Sequence, residues 1–525
     1  MIHNDEILTL ADLSRTQARK KPHAKALIFK DQAITYQQLD QKSDRLANAL
    51  LARGIKARTR VAILAQDSPK SYEILFACAK IKAVLVSINW RLAAAEVSYI
   101  LNDAEVELIF IGSKFHNLIN SIEGELTKIE TFISLDQTVE NHLNYDQWCQ
   151  QYSTASPEIK ISPDDVAIQL YTSGTTGRPK GVQLGHYSFF AVAREWTRQG
   201  QNWLNWQQTD KSLLVVPFFH IGGLWWAIRG FVAGAENILL PAFNSIEVLS
   251  VIEKYRITKA AMVPAMIQVV LSEPQCPETD FSSLEYVLYG GSPIAESLLR
   301  SAMKTFSCDF VQIYGMTETG NCAVCLPEAA HTSSNTDLLK SAGKPLTGVE
   351  VAIVDNQNNQ LAPFQIGEIK INSPANMLGY WKLPEATAKT LIDGWIHTGD
   401  AGYLDQEGYI YICDRLKDMI CYAGENVYPA EIENILYEHP AIAEVGVIGV
   451  PDEDFGESIK AIVVLKSGMQ VKALEIINFV RGKLADFKLP RSIEFVQSLP
   501  RTPSGKIQKA KLREKYWKGY QRKVN

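Results

Sequence analysis

The chain has 525 residues, of which 46% are hydrophobic and 21% are charged. This length suits a few domains, and this balance of residues excludes a largely disordered chain. Lysine and arginine total 53 against 58 for aspartate and glutamate, so the net charge is −5. A protein that wraps nucleic acid needs a basic surface, and we therefore expect no nucleic-acid partner. The eight cysteines are sparse and irregularly placed, which argues against a disulfide framework.

The sequence also bears on location. Residues 1–14 carry two acidic residues early and lack a basic segment followed by an apolar one, so they do not resemble a signal peptide. The most apolar stretch, residues 212–228, is interrupted by Pro217, His220 and the pair Gly222–Gly223, unlike a membrane-spanning helix. We predict a soluble protein of the reducing cytoplasm, with at most peripheral membrane contact.

Short β-rich runs alternate with amphipathic helical segments through most of the chain. The pattern first predicts strands at 60–64, 83–88 and 106–111, with helices at 68–82 and 94–102. It recurs later, with helices at 245–255 and 295–306 and strands at 259–263, 285–289 and 310–314. Buried strands separated by helices of this length indicate an α/β fold of doubly wound parallel sheets.

From residue 349 the pattern changes to strands at 349–354, 367–371 and 409–413, which favours a small antiparallel, barrel-like portion. The charged connector at 414–418 predicts a boundary between a large N-terminal domain, 1–415, and a small α+β domain, 416–525. In the small domain we expect a helix from 429, strands ending at 450 and spanning 460–465, a helix at 473–484 and a strand at 493–496. We also expect its basic C-terminal residues to form a solvated face: Lys509, Lys511, Arg513, Lys515 and Lys518.

The most informative segment is YTSGTTGRPKGV at residues 171–182, which follows an apolar strand at 166–170. Glycines let backbone amides approach an anion, and hydroxyl and basic side chains add hydrogen-bond donors. This composition favours a polyphosphate ligand, with a glycine- and threonine-rich surface turn as the alternative. It is not a Walker A loop, because Pro179 separates the glycines from Lys180.

Seven further motifs follow this loop in a fixed order: PFFHIGG at 217–223, YGGSPI at 289–294, YGMTET at 314–319, WIHTGD at 395–400, DRLKDMI at 414–420, GENVYPAEIE at 424–433 and LPRTPSGKIQK at 499–509. Together they resemble the adenylate-forming superfamily, which includes acyl-CoA synthetases, peptide-synthetase adenylation domains and firefly luciferase. The resemblance covers nearly the whole chain and is strongest to bacterial fatty-acyl-CoA synthetases.

This resemblance implies an AMP-forming acid–thiol ligase. A carboxylic acid and ATP would give acyl-AMP and pyrophosphate, and the thiol of CoA would then displace AMP; Mg²⁺ would assist. The resemblance also assigns residues to the ATP site. Glu318 would bind Mg²⁺ and Thr317 the α-phosphate, Tyr314 would stack on adenine, Asp400 would accept the ribose hydroxyls, and Arg415 would support ribose or phosphate. The loop would hold the phosphates through Thr172, Ser173, Gly174, Thr175, Thr176, Gly177 and Lys180, and the adenine and acyl group would be bordered by Gly290, Gly291 and Ser292.

Lys506 is the implied catalytic residue, because a cation delivered to the α-phosphate stabilises charge that builds only in the transition state. Lys417 matches the family's hinge, about which the small domain would present either Lys506 or the segment around Gly424. Gly424 would line a tunnel for the pantetheine arm of CoA, although Tyr422 and Ala423 depart from the small residues usual there. His220 would gate and orient where the acyl pocket meets that tunnel.

The implied acyl pocket comprises residues 221–226, Ala265, Met266, Met316 and the residues just after Glu318. These positions are apolar and carry no positive charge, so we expect a medium- or long-chain fatty acid, with an aryl acid as the alternative. Two other hypotheses stay open, namely an acyl-AMP ligase that loads an acyl carrier protein and a non-catalytic nucleotide-binding module. The sequence is also compatible with a homodimer.

Overall fold

The computed structural model describes residues 6–172, 178–199, 203–422, 425–452, 456–481, 483–501 and 506–518. The helices in chain order are α1 Leu10–Lys20, α2 Tyr36–Ala52, α3 Pro69–Lys80, α4 Ala94–Asp103, α5 His116–Ile122, α6 Tyr145–Cys149, α7 Ala191–Arg198, α8 Ile221–Ala233, α9 Ser245–Tyr255, α10 Pro264–Ser272, α11 Glu296–Phe306, α12 Glu328–His331, α13 Pro384–Thr390, α14 Pro429–Tyr437, α15 Ala473–Val480 and α16 Lys509–Trp517. None of these helices combines the length and the apolar character needed to cross a membrane.

The strands fall into four sheets. In chain order they are β1 Lys25–Phe29, β2 Gln32–Thr35, β3 Arg60–Leu64, β4 Val84–Ser87, β5 Val106–Ile111, β6 Thr131–Ser134, β7 Leu143–Asn144, β8 Val166–Thr172, β9 Lys180–Gly185, β10 Lys211–Leu214, β11 Glu236–Leu239, β12 Lys259–Met262, β13 Tyr286–Gly290, β14 Asp309–Tyr314, β15 Val324–Leu326, β16 Lys344–Pro345, β17 Glu350–Val354, β18 Gly367–Asn372, β19 Gly379–Tyr380, β20 Leu391–Ile392, β21 Trp395–Leu404, β22 Ile410–Arg415, β23 Ile420–Tyr422, β24 Glu425–Val427, β25 Ile442–Asp452, β26 Gly456–Leu465 and β27 Ser492–Phe495.

Two large sheets form the body of the molecule. One has the order β19-β9-β8-β4-β3-β5-β6-β7 and the other β16-β15-β14-β13-β12-β10-β11-β1-β2. Their central strands run parallel, and antiparallel strands such as β9 and β15 lie towards the edges. The two sheets share a hydrophobic core, in which helices α3 and α8 meet. There Tyr72 contacts Phe218 and Phe231 at ring-centroid distances of 5.2 and 5.3 Å. The predicted α/β class with parallel sheets is confirmed.

A third sheet is antiparallel, with the order β17-β18-β21-β20 and with β22 paired to β21. It corresponds to the strand-rich portion that the sequence predicts from residue 349. The 3₁₀ helix Leu416–Asp418 then leads to a fourth sheet, β24-β23-β26-β25 with β27 beside β26. This sheet has its own core, which includes Ile420, Ile432 and Val447. A large N-terminal domain is thus followed by a small C-terminal one.

Two expectations for the small domain are wrong in detail. The predicted helix at 473–484 ends at Val480, because Arg481 adopts extended backbone angles (φ −61°, ψ 133°). The predicted solvated face is also incomplete, since Lys509 and Arg513 are engaged in ion pairs rather than exposed. Lys509 lies 3.0 Å from Glu433 and 3.3 Å from Asp414, and Arg513 lies 2.5 Å from Asp418.

Candidate active site

The polyphosphate loop predicted from the sequence joins two paired strands. Thr172 ends β8 and Lys180 begins β9, and these two residues face each other in antiparallel register. Ser173, Gly174, Thr175, Thr176 and Gly177 lie outside the described residues. The strands therefore fix both ends of the loop, with a basic side chain at its C-terminal end.

Tyr380 lies between Lys180 and a buried carboxylate. Its Nζ lies 4.9 Å from the ring centroid of Tyr380, and the Tyr380 hydroxyl donates a 2.8 Å hydrogen bond to Oε1 of Glu318. Glu318 is only 5% exposed. Burial raises the pKa of its carboxyl group, whereas the Tyr380 hydrogen bond and the charges of Arg415 and Lys180 act in the opposite direction.

Tyr380 was missed by the sequence analysis. It lies on β19, where it pairs with Val182 of β9, so it reaches Glu318 only through a strand pairing between residues distant in sequence. The motif YGMTET locates Glu318, but nothing in it indicates which hydroxyl would contact the carboxylate. Within the described ranges, no group of three or more His, Cys, Asp or Glu side chains is arranged to hold a metal ion.

Asp400, Tyr314 and Arg415 form a second polar cluster. The Tyr314 hydroxyl donates to Oδ2 of Asp400 at 2.7 Å, and Nε of Arg415 lies 3.1 Å from Oδ1. Asp400 and Arg415 face each other across β21 and β22. The carboxylate of Asp400 raises the pKa of Arg415, and burial followed by this carboxylate raises the pKa of Tyr314. The cluster thus presents an oriented carboxylate and a fixed cation.

The predicted adenine-side residues lie at the carboxyl ends of neighbouring parallel strands, the usual ligand-binding edge of an open α/β sheet. Gly290 ends β13 and pairs with Ile313 of β14. A Cβ on Gly290 would lie 2.4 Å from the Ile313 carbonyl oxygen, and Gly291 has φ +79°, so both positions require glycine. Ser292 follows at this edge, and Thr317 begins a 3₁₀ turn just after Tyr314.

Lys506 brings the small domain to this site. Lys506 is exposed as a whole residue, but neighbouring protein atoms desolvate its ammonium group. This desolvation, followed by the charge of Arg415, lowers the pKa of Lys506, and the charge of Asp400 acts in the opposite direction. Lys506 also acts on His220 of the large domain. The predicted catalytic lysine thus lies within electrostatic range of the predicted ribose-binding pair, although the residues come from different domains.

His220 immediately precedes α8 and packs 4.5 Å from the ring of Phe219, measured between centroids. Burial, with the charges of Lys506 and Arg91, lowers the pKa of His220 to about 3. The imidazole is therefore neutral near pH 7. Its neutrality agrees with the predicted orienting role rather than with proton donation.

A buried acid behind this histidine was also missed by the sequence analysis. Asp67 is 6% exposed and accepts a 2.8 Å hydrogen bond from the backbone N–H of Phe218. Burial raises the pKa of Asp67 to about 7. Its only sequence signal is its position after strand β3, which does not reveal the contact with Phe218.

The remaining predicted residues belong to the second half-reaction. Lys417 is the middle residue of the 3₁₀ helix between the two domains. Gly424 lies outside the described residues. Tyr422 nearby is 5% exposed, and its hydroxyl accepts a 2.8 Å hydrogen bond from Arg491.

The charges of Lys180 and Arg415 act on the carboxylate of Glu318, and those of Arg415 and Asp400 act on Lys506. Several cations near one buried hard carboxylate suit a polyanion that shares a divalent cation with that carboxylate.

Comparison with known proteins identifies the family of this chain. Residues 14–381 match the AMP-binding enzyme family, and residues 431–506 match the AMP-binding enzyme C-terminal domain. The chain is 44% identical to a fatty acid–[acyl-carrier-protein] ligase of Streptomyces coeruleorubidus, over 100% of this chain and 99% of that protein. It is 35% identical to a long-chain-fatty-acid–CoA ligase of Mycobacterium tuberculosis, over 96% and 97% of the two chains. Its fold is similar to that of an anthranilate CoA ligase in complex with anthranoyl-AMP, with a TM-score of 0.88 and 27% identity over 97% of both chains.

Proposed function

Because this chain belongs to the AMP-binding enzyme family and is an AMP-forming acid–thiol ligase, we propose that it activates a fatty acid as an acyl-adenylate. We propose further that the acyl group passes to the phosphopantetheine thiol of an acyl carrier protein. The observation that carries the first step is that Lys506 lies within electrostatic range of Asp400 and Arg415. A lysine at this place can stabilise the negative charge that builds as pyrophosphate leaves.

The other residues of the ATP site have complementary roles in this proposal. Asp400, held by Tyr314 and Arg415, accepts the ribose hydroxyls. Thr317 donates to the α-phosphate, and Gly290, Gly291 and Ser292 border the adenine and the acyl group. The loop from Thr172 to Lys180 binds the β- and γ-phosphates through its amides, hydroxyls and lysine.

The buried carboxylate of Glu318 fits a magnesium ligand. It is a hard oxygen donor close to Lys180, and in the described part of the chain it stands without a cluster of further acidic ligands. This is the donor set expected where nucleotide phosphates supply most of the coordination. Mg²⁺ bound there would neutralise phosphate charge during the transfer.

The choice of thiol rests on the relatives. The fatty acid–[acyl-carrier-protein] ligase is 44% identical to this chain, against 35% for the long-chain-fatty-acid–CoA ligase. CoA remains the second candidate, because both thiols end the same phosphopantetheine arm. His220, neutral beside Phe219, would orient that arm's thiol towards the adenylate, and Gly424 would line the arm's path.

The two half-reactions need two arrangements of the small domain in this proposal. Lys417, within the short 3₁₀ helix between the domains, would be the hinge. Turning about it would withdraw Lys506 and bring the segment around Gly424 to the adenylate. One site would then serve both reactions in sequence.

A cytoplasmic location is also part of the proposal. All eight cysteines lie in the described part of the chain, and each is a free thiol. Free thiols persist where the compartment is reducing.

The test is a two-stage assay with purified full-length enzyme, ATP and Mg²⁺. The first stage scores pyrophosphate release across fatty and aryl acids. The second offers holo-carrier protein and CoA in parallel to the loaded enzyme. We expect acid-dependent release with fatty acids and faster acylation of the carrier protein. Faster CoA acylation would reverse the choice of thiol, and no pyrophosphate release with any acid would overturn the proposed activation.

A further inference from the structure

A buried arginine lies on the helix that carries part of the proposed acyl pocket. Arg229 belongs to α8, seven residues after Gly222, and is only 7% exposed. Residues three or four apart lie on the same face of a helix, so Gly222, Trp225 and Arg229 share one face. The pocket positions that the sequence analysis named on this helix end at Trp226, so Arg229 was not among them.

The guanidinium of Arg229 has few partners. Its Nη2 donates to the carbonyl oxygen of Phe189 at 2.6 Å, and its Cζ lies 5.7 Å from the ring centroid of Trp225. Its Nε is buried and has no acceptor among the described residues. Burial lowers the pKa of Arg229 to about 10, and the titratable group that opposes this shift is the thiol of Cys322 rather than a carboxylate. The side chain is therefore a buried cation at neutral pH.

A second buried donor lies beside α8. Asn321 is 8% exposed, and its Nδ2 has no acceptor in the described part of the chain. Its Oδ1 would lie 3.8 Å from a Cβ built on Gly222, which is an ordinary contact distance, so Asn321 lies beside Gly222. Asn321 adjoins Cys322, whose thiol lies near Arg229. The segment after Glu318 thus runs alongside α8, with Asn321 near Gly222 and Cys322 near Arg229.

Aromatic rings pack against α8 as well. The ring centroids of Trp196 and Trp203 lie 4.8 Å apart, and those of Trp203 and Trp225 lie 5.6 Å apart. In such apolar surroundings a donor without an acceptor costs free energy, and a cation without a counter-charge costs more. A ligand that supplies the missing acceptor would recover this cost.

We propose that the acid activated by this enzyme carries an oxygen acceptor at the end remote from its reacting carboxyl group, and that Arg229 donates hydrogen bonds to that oxygen. This inference rests on the proposed acid activation and specifies its substrate class. A hydroxyl, a ketone or a second carboxylate would supply the oxygen. A plain hydrocarbon end would leave Nε of Arg229 unsatisfied. Sites built to hydrogen-bond a substrate group discriminate strongly, so we expect a preference of about tenfold or more.

The test compares plain, ω-hydroxy and ω-carboxy acids of equal length, from hexanoate to decanoate, by acid-dependent pyrophosphate release. We expect a higher kcat/KM for the oxygenated acids with the wild-type enzyme. Arg229→Met should remove this preference, and Arg229→Lys, which keeps the charge, should retain part of it. The hydroxy and carboxy arms distinguish a neutral acceptor from an anionic one.

Arg229→Gln keeps a neutral donor of similar size, and circular dichroism melting of all three variants checks that they fold. If Arg229→Met does not fold, Arg229→Gln and Arg229→Lys decide the question. Equal use of plain and oxygenated acids by the wild-type enzyme, or a preference unchanged in the folded variants, would overturn the role of Arg229 while leaving acid activation intact. Failure of every acid to release pyrophosphate would instead overturn the proposed function.

Discussion

The hydroxyl group of Tyr380 influences both the orientation and the pKa of the Glu318 carboxyl group. It donates to Oε1 of Glu318 at 2.8 Å and, with the charges of Arg415 and Lys180, opposes the rise in pKa that burial causes. Without this donor the carboxylate would lose a hydrogen bond that favours its ionised form and fixes its orientation. Tyr380 would thus act on a bound metal through Glu318, as a positioning residue.

Tyr380→Phe should raise the Mg²⁺ concentration needed for half-maximal pyrophosphate release by about tenfold, a typical effect of losing such an outer hydrogen bond. Titration of Mg²⁺ at saturating ATP measures the change. Tyr187→Phe is the matched control, because its hydroxyl donates to the carbonyl of Asn376 rather than to Glu318. An unchanged Mg²⁺ dependence in Tyr380→Phe would remove the positioning role.

Lys506→Ala should slow acid-dependent pyrophosphate release by about a hundredfold or more, because it removes charge stabilisation in the transition state. Acyl transfer from supplied acyl-adenylate should be affected much less. Lys511→Ala, an exposed position in α16, serves as the control. Equal loss of both half-reactions in Lys506→Ala would contradict the assignment.

At the scale of elements, Asp67 connects two parts of the large domain. It follows β3, its N–H donates to the carbonyl of Pro241, and its carboxylate accepts from Phe218 just before α8. The contact therefore supports the segment that carries His220. Because burial raises the pKa of Asp67 from its ordinary value of 3.8 to about 7, the folded state holds this proton at pH values where the unfolded chain has lost it.

Asp67→Asn removes this titration and keeps an oxygen acceptor for Phe218. A raised pKa in the folded state means that stability falls as pH rises from about 4 to about 7, by about 1.4 kcal/mol for each pH unit. Relative to Asp67→Asn, the wild-type protein should therefore lose melting temperature across this interval and not above it. Asp164→Asn, at an exposed position, controls for net charge. A constant difference in melting temperature would contradict the raised pKa.

The sequence patterns located elements better than they located contacts. The strand at 106–111 and the helix at 245–255 agree with β5 and α9 at both ends, because their hydrophobic periodicity is uninterrupted. The motifs also named Glu318, Asp400, Arg415 and Lys506, and in the structure the charges of Glu318, Asp400 and Lys506 are each linked to that of Arg415. The roles of Tyr380 and Asp67 were not predicted, because both residues act through contacts between segments distant in sequence. The ion pairs of Lys509 were not predicted either, because composition does not show which lysines lie next to a carboxylate.

At the scale of the whole molecule, Lys509 ties the two domains together. Its Nζ lies 3.3 Å from Asp414, before the proposed hinge, and 3.0 Å from Glu433, after it. Asp414 also accepts a hydrogen bond from the N–H of Ala430 at 2.9 Å. These contacts fix the chain close to Lys506, since Lys509 follows Lys506 by three positions.

Lys509→Met should therefore slow the first half-reaction by about tenfold, because breaking a buried ion pair leaves the carboxylates of Asp414 and Glu433 without their cation. Acyl transfer from supplied acyl-adenylate should fall less. Lys515→Met, which removes an ion pair to Glu494 within the small domain, is the control. Equal slowing of both steps would show that Lys509 maintains the fold rather than the domain arrangement.

The backbone N–H of Arg415 donates to Oδ1 of Asp414 at 2.7 Å. Arg415 thus contacts Asp400, the carboxylate proposed to bind ribose, while the adjacent Asp414 forms an ion pair with Lys509 of the small domain. We expect the release of AMP to loosen the contacts of Arg415 and Asp414 together. Product release and rotation of the small domain would then be coupled. Asp414 and Arg415, two consecutive residues, would then determine the order of these events in each turnover.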